Sequence, residues 1–319
     1  AVYVDNGTLQ VTYISLYNGG RIVGYLGRPE DREPDFAIGS DDVMRNPFTD
    51  TYYFTDGGKP ISDGHSLILL AGYNKRVMVW RRIPDESGAK PDIIYELPFE
   101  PTGGDLYGGR LYVVGRGGEG GGLAIWRNIT RGEKPEVLIT RELAGIDLSE
   151  ARDIALDDDY AYLIAGGALY IFRQPFTIDS KPVKTLTLEE EFRSIHSNGE
   201  RLAAICGSRV LLIDVDSLMD ENPEILELRY HFNLPEDVFI DDHRLFVADT
   251  VFNRVLIWEK LPERGDEKPD VVLGQDSFEP DLPPSYTRRG LFWPGAVWFD
   301  GHFLWVGEYK FSNRILRYS

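Results

Sequence analysis

Cysteine is almost absent from this chain, and long apolar segments are missing. The one cysteine, Cys206, ends the apolar run 202–206, which predicts a buried, inert thiol. A single cysteine excludes a disulfide within the chain, so cysteine usage does not indicate the redox compartment. No run of about 18 apolar residues occurs, which predicts that no helix of this chain spans a bilayer.

Positive charge is also scarce. The 319 residues include 34 Lys and Arg against 52 Asp and Glu, so the net charge is −18. A surface this acidic repels phosphate groups, which makes nucleic acids and anionic membranes poor partners. The composition therefore predicts no nucleic-acid partner.

The motifs of common metal and cofactor sites are missing as well. There is no H-E-x-x-H sequence, cysteine pair or compact histidine cluster, so no metal site is predicted. The glycine-rich stretch 115–122 contains a G-x-G pattern, but a strand follows it instead of a helix, so no dinucleotide cofactor is predicted. Without a G-x-S-x-G elbow, a hydrolase triad has no anchor. His65, His243 and His302 occupy equivalent turns, where we expect exposed side chains.

Proline, in contrast, recurs regularly. A proline lies nine to eleven residues after the end of a β-rich hairpin in six copies, at Pro34, Pro91, Pro135, Pro182, Pro223 and Pro269. Successive hairpins end 42 to 60 residues apart. A period in the forties with four short strands per copy is the signature of a β-propeller.

The clearest copy covers residues 237–273. Short apolar runs at 238–240, 244–248, 254–258 and 271–273 are rich in β-branched and aromatic residues, which favours strands over helices. Pro269 precedes the fourth run, as expected for an edge strand, because proline cannot donate to a β-ladder. Six further segments fit the same template.

The predicted fold is all-β, a single β-propeller domain over residues 1–319 with four-stranded antiparallel blades. Seven hairpins and six outer strands favour seven blades. Six blades follow instead if the loose N-terminal copy is only an extension. The missing outer strand is supplied by residues 2–4, or one blade stays three-stranded.

Two segments resemble an NHL repeat, namely ADTVFNRVLIW at 248–258 and KPDVVLGQDSF at 268–278. Residues 75–80 and 312–316 agree with this pattern. As a repeat, the similarity covers nearly the whole chain, and it is most specific at 237–278. It implies a propeller of the NHL kind, whose members are mostly binding scaffolds. Related propellers include metal-dependent lyases, lactonases and amidating lyases.

Charged residues recur where the first strand of a copy begins. Aligning the copies on their turns places Arg152, Arg193 and Glu236 in one column, and Asp153 and Asp237 in the next. First strands line the central channel of a propeller, so we expect these side chains to ring its mouth. They form either an ion-pair belt between blades or a ligand site in which the arginines hold a carboxylate or another anion.

Two long connections, 40–54 and 275–294, each lead from an outer strand to the next inner strand, so we expect both on one face. They carry aromatic residues and arginines, the types enriched in binding hot spots. The predicted partner-binding residues are Phe48, Tyr52, Phe278, Tyr286, Arg288, Arg289 and Trp293.

These observations favour a non-catalytic binding or scaffolding propeller that recognises a protein, a small anion or a glycan through its loop face. One alternative is a metal-dependent lyase or lactonase-type propeller enzyme. Another is a structural subunit of a surface assembly. The acceptor sequons at Asn6 and Asn128 lean towards an extracellular or cell-surface location.

Overall fold

The computed structural model describes four N-terminal strands by their backbone, followed by residues 58–84, 90–117, 120–279, 290–308 and 315–318. The regular structure of these residues is β, apart from two short 3-10 turns at Ile129–Arg131 and Asp216–Met219. The predicted all-β class is confirmed.

The strands form six small four-stranded antiparallel sheets and one three-stranded sheet in a β-propeller arrangement. The N-terminal sheet contains β1 (Val2–Asp5), β2 (Gln10–Leu16), β3 (Arg21–Leu26) and β4 (Phe36–Ile38). Blade 1 contains β5 (Lys59–Ser62), β6 (Leu67–Ala71), β7 (Arg76–Trp80) and β8 (Ile93–Glu96). Blade 2 contains β9 (Glu100–Tyr107), β10 (Arg110–Arg116), β11 (Gly122–Trp126) and β12 (Val137–Thr140).

A small hairpin, β13 (Glu142–Leu143) with β14 (Ile146–Asp147), precedes blade 3. Blade 3 contains β15 (Ala151–Leu156), β16 (Tyr160–Ala165), β17 (Ala168–Arg173) and β18 (Lys184–Leu186). Blade 4 contains β19 (Phe192–Ser197), β20 (Arg201–Cys206), β21 (Arg209–Asp214) and β22 (Ile225–Glu227). Blade 5 contains β23 (Pro235–Ile240), β24 (Leu245–Asp249), β25 (Arg254–Trp258) and β26 (Val271–Leu273). Blade 6 contains β27 (Pro294–Phe299), β28 (Leu304–Glu308) and β29 (Ile315–Tyr318).

The repeating prolines mark the outer strands, as predicted. Each lies two residues before the fourth strand of its sheet, for example Pro91 before β8 and Pro269 before β26. The short apolar second strands are buried between blades, and every residue of β6 and of β16 is buried. Cys206 lies in this buried layer, as predicted, and burial raises the pKa of its thiol.

The first strands of blades 1 to 6 form a closed ring around the axis. Each lies beside the first strand of the next blade, in the order β5, β9, β15, β19, β23, β27 and back to β5. Hydrogen bonds join blade 6 to blade 1, because Trp298 Nε1 donates to the Ser62 carbonyl (2.8 Å) and Ser62 Oγ donates to Asp300 Oδ2 (3.0 Å).

The predicted count of seven blades is not confirmed. The N-terminal sheet is a real four-stranded sheet, but its strand β1 pairs with β2 and lies with it near β29, outside the ring of first strands. Blade 6 is three-stranded in the described residues. The alternative of six blades with an N-terminal extension matches this arrangement better.

Candidate functional site

One residue from each of the six blades occupies the same position near the start of its first strand. These are Lys59, Gly104, Asp153, Ser194, Asp237 and Ala296 in blades 1 to 6. The charged members come from alternate blades, and small residues fill the positions between them. The side chains therefore have room to meet on the axis.

Lys59 is the centre of this group. Its Nζ lies 3.2 Å from both Asp153 carboxylate oxygens and 3.2 Å from Asp237 Oδ1. Ser194 Oγ, between the two acids, donates to Asp237 Oδ1 (2.5 Å) and lies 3.2 Å from Asp153 Oδ2. The Lys59 side chain is 11% exposed and those of Asp153 and Asp237 are 3% and 4% exposed. We call these four residues the axial cluster.

The axial cluster also fixes one blade against the next. The first strands have irregular register just before these positions, and their inner edge has no further strand to pair with. The backbone N–H groups on this edge donate hydrogen bonds to side chains of the preceding blade instead. Ile195 N donates to Asp153 Oδ2 (3.2 Å), and Val297 N donates to Asp237 Oδ2 (2.8 Å). Buried backbone groups need such partners, so this part of the site is structural.

Burial and charge oppose each other in the axial cluster. Burial alone would lower the pKa of Lys59, but Asp153 and Asp237 raise it above its usual value, so the ammonium stays charged. Burial raises the pKa of Asp153, while Lys59 acts to lower it. One ammonium facing two carboxylates leaves a negative excess at the centre of the ring.

Aromatic rings pack against one another around the axis beyond the axial cluster. The His196 ring stacks on Phe239 at 3.8 Å between centroids and meets the edge of Trp298 at 5.6 Å. Burial, and to a smaller extent the charge of Lys59, lower the pKa of His196 to about 3, so this imidazole is neutral at physiological pH. Packed aromatic rings therefore line this side of the axial cluster.

A cavity of about 390 Å³ opens above the axial cluster, at the ends where the first strands begin. The five residues predicted to ring the channel mouth, Arg152, Asp153, Arg193, Glu236 and Asp237, all line it. Arg193 and Glu236 form an ion pair in the wall of this cavity, with Arg193 Nη1 3.2 Å from Glu236 Oε1. Burial raises the pKa of Glu236, and Arg193 and then Arg152 act to lower it. The rim includes Tyr73, which is 72% exposed.

Glycine allows the first strands of blades 2 and 3 to approach closely next to the axial cluster. A Cβ added to Gly103 would lie 2.3 Å from Asp153 Oδ1 and 2.5 Å from the Arg152 carbonyl. The column that carries Arg152, Arg193 and Glu236 thus has a glycine here because the neighbouring strand approaches too closely for a side chain.

The residues predicted for partner binding are not part of this cavity where the structure describes them. Phe278 is 39% exposed, and its carbonyl accepts a hydrogen bond from Arg254. Trp293 is half-buried against Phe292, and its backbone N–H donates to Asn253 Oδ1 (3.0 Å). The other five, Phe48, Tyr52, Tyr286, Arg288 and Arg289, lie outside the described residues.

Sequence reasoning passed over Lys59 and Ser194 as site residues. Both stand in the same aligned column as Asp153 and Asp237. The positive charge of Lys59 in a column with two acids was the signal that could have identified this residue.

The three turn histidines are exposed, as predicted. Among the described residues, no group of three or more His, Cys, Asp or Glu side chains is arranged to hold a metal ion. Within the same part of the chain, no helix is long and apolar enough to cross a membrane.

Comparison with solved structures shows the fold alone. The WD40 β-propeller domain of Doa1 is 11% identical, and the alignment covers 95% of this chain and 88% of that chain with a TM-score of 0.60. A protein of unknown function from Bacteroides thetaiotaomicron is 12% identical over 99% and 88% of the two chains, with a TM-score of 0.55. A candidate 6-phosphogluconolactonase from Bacteroides uniformis is 14% identical over 84% and 82%, with a TM-score of 0.53. No protein-family model and no curated protein matches the chain, so the resemblance to NHL repeats is not confirmed.

Proposed function

We propose that this chain is a non-catalytic binding propeller whose ligand, or one group of a larger partner, enters the cavity above the axial cluster. The observation that carries the proposal is the cavity itself, about 390 Å³ in volume and lined by charged side chains at the ends where the first strands begin. Concave sites with a few converging polar groups are the usual form of a ligand pocket.

Some charged groups at the floor of the cavity are paired with one another, and others at its rim can contact a ligand. Lys59, Asp153 and Asp237 bind one another, so they support the floor. Arg152 is partly exposed and has no ion-pair partner among the described residues. Tyr73 adds a largely exposed ring to the rim of the same cavity. Arginine and tyrosine are residue types that are enriched in recognition surfaces.

The metal-dependent lyase or lactonase-type enzyme remains the alternative. It requires carboxylates that are free to ligate a cation. In this cavity both oxygens of Asp153 and both oxygens of Asp237 already accept hydrogen bonds from Lys59, Ser194 or a backbone N–H. Binding a metal would require these bonds to break, so the geometry favours the binding module.

A thermal-shift screen tests this proposal. Neutral sugars, amino acids and carboxylates are added to the wild-type protein, and every hit is measured again with Tyr73→Ala, Arg152→Ala and the remote control Arg127→Ala. Arg127 is 72% exposed and pairs with Glu136 outside the cavity. Because the stabilisation of the folded state by a ligand increases with the ratio of ligand concentration to Kd, we expect hits that persist in Arg127→Ala and weaken in the cavity variants.

Two results would contradict the proposal. One is a set of hits that the cavity variants leave unchanged. The other is the absence of any hit together with lower melting temperatures of Arg152→Ala and Arg193→Ala, which is the outcome expected if these arginines only hold the blades together.

A further inference from the structure

Arg193 is bonded at one end of its guanidinium and not at the other. Its Nη1 lies 3.2 Å from Glu236 Oε1, while its buried Nε has no hydrogen-bond partner among the described residues. A buried N–H without a partner destabilises a structure, and guanidinium groups bind planar oxyanions through two parallel N–H donors. Glu236 therefore uses only part of the binding capacity of Arg193.

Arg152 provides a second cation at the equivalent position of the preceding blade. It lines the same cavity, and its charge acts on the carboxyl of Glu236. It has no carboxylate within ion-pair distance among the described residues. Two arginines thus face one carboxylate in a chain whose net charge is −18. Acidic residues, among them Glu100 and Glu308, line the same cavity, so the two arginines form a local positive pair within a site of mixed charge.

We propose that the cavity binds a small molecule through a carboxylate group, which replaces the Glu236 carboxylate at Arg193 and also binds Arg152. The inference rests on the proposed function and specifies the chemistry of the ligand. Glu236 already shows that a carboxylate fits against Arg193, so it acts as an internal competitor. A ligand carboxylate that also reaches Arg152 binds a cation that Glu236 leaves without an ion pair.

Exchange of the Glu236 carboxylate for the ligand carboxylate should change the protonation of Glu236. The groups that act on Glu236 are Arg193, Arg152 and the acid Asp237. When a ligand occupies the two arginines, Glu236 loses the charges that hold its pKa down and keeps Asp237 and burial, which raise it. Glu236 then takes up a proton as the ligand binds, so affinity increases as the pH falls.

Calorimetric titration with malonate, a small dicarboxylate, tests the inference, with the neutral malonamide as the matched probe. Glu236→Gln removes the internal competitor, and we expect it to bind malonate about tenfold more tightly than the wild type. Arg152→Ala and Arg193→Ala should each weaken binding by about tenfold or more. Arg127→Ala should bind like the wild type. Titrations in two buffers of different ionisation enthalpy should show proton uptake in the wild type and none in Glu236→Gln.

Several outcomes would overturn the inference. If malonate binds both arginine variants as it binds the wild type, the site lies elsewhere. If Glu236→Gln weakens malonate as much as Arg193→Ala does, Glu236 supports the site instead of competing for it. If neutral compounds from the thermal-shift screen bind in the cavity and malonate does not, the proposed function stands and the carboxylate inference is wrong. Far-UV circular dichroism of each variant distinguishes lost binding from lost folding.

Discussion

Lys59 Nζ lies 3.2 Å from both carboxylate oxygens of Asp153, a residue 94 positions away in the sequence and two blades away in the ring. The same ammonium binds Asp237, which is 178 positions away. One lysine therefore connects three alternate blades across the axis. Breaking a buried pair on one side leaves an uncompensated charge, so the stability of the ring should depend strongly on this group.

Asp105 should make the protein more stable as the pH falls from about 7 towards 4. This carboxyl is 5% exposed and accepts a hydrogen bond from Leu156 N (2.8 Å). Burial raises its pKa to about 7. Because the folded-state pKa is above the unfolded value of about 3.9, the folded state binds the proton more tightly. The stabilisation is complete below the unfolded pKa and is lost as the pH rises through the folded pKa.

Asp105→Asn replaces the carboxyl with a neutral group of the same shape that can still accept from Leu156. At about pH 8 we expect the variant to be more stable than the wild type by roughly 2–4 kcal/mol. At about pH 4 the difference should disappear, since the wild-type carboxyl is then protonated. Urea unfolding of both proteins across this range measures the difference. A difference that stays constant with pH would show that Asp105 is not titrating in the folded protein.

Arg254 should be the most sensitive arginine outside the cavity. Its guanidinium is 1% exposed, and Nε donates to Asp249 Oδ2 (2.7 Å) while Nη2 donates to the His231 carbonyl (2.6 Å). Arg254→Met leaves Asp249 buried without a counterion, so we expect a loss of about 3–5 kcal/mol in urea unfolding. Arg264→Met is the control, because Arg264 is 74% exposed.

A substitution of an exposed residue, such as Arg264→Met, changes the free energy of unfolding by about 0.5 kcal/mol or less. Equal effects of Arg254→Met and Arg264→Met would therefore show that the Arg254 contacts contribute nothing to folding.

Removal of residues 1–57 should leave a folded ring. The first strands of blades 1 and 6 lie side by side, and Trp298 donates to the Ser62 carbonyl across that junction. The N-terminal sheet is not needed for closure, although β29 loses the neighbouring β1 and β2. We expect a monodisperse β protein with a cooperative urea transition at a lower midpoint than the full chain. A chain that shows no cooperative transition would mean that the N-terminal sheet is part of the closure.

The outline of the fold could be predicted from the sequence because its signals are local. A proline that cannot donate to a ladder must precede an edge strand, so Pro91, Pro135 and Pro269 located outer strands without any tertiary information. Aligned turns also located Arg152, Arg193 and Glu236 at the channel mouth, where the structure has them.

The number of blades and the axial cluster could not be predicted in this way, because both depend on contacts between distant parts of the chain. The N-terminal sheet resembles a blade in sequence, and tertiary contacts such as the one between β27 and β5 are needed to show that the ring closes without it. Lys59 stood in the aligned column of Asp153 and Asp237, but a column does not show that three side chains from alternate blades converge.

A double-mutant cycle between Lys59 and Asp237 tests the central claim most directly. Lys59→Met, Asp237→Asn and the double variant are unfolded in urea at neutral pH, and the coupling energy is obtained from the four free energies. We predict a coupling of about 2 kcal/mol or more, since the two buried charges meet only if the ring closes so that a single blade separates blades 5 and 1. A coupling below about 0.5 kcal/mol would contradict the account, because independent sites give additive effects of that size.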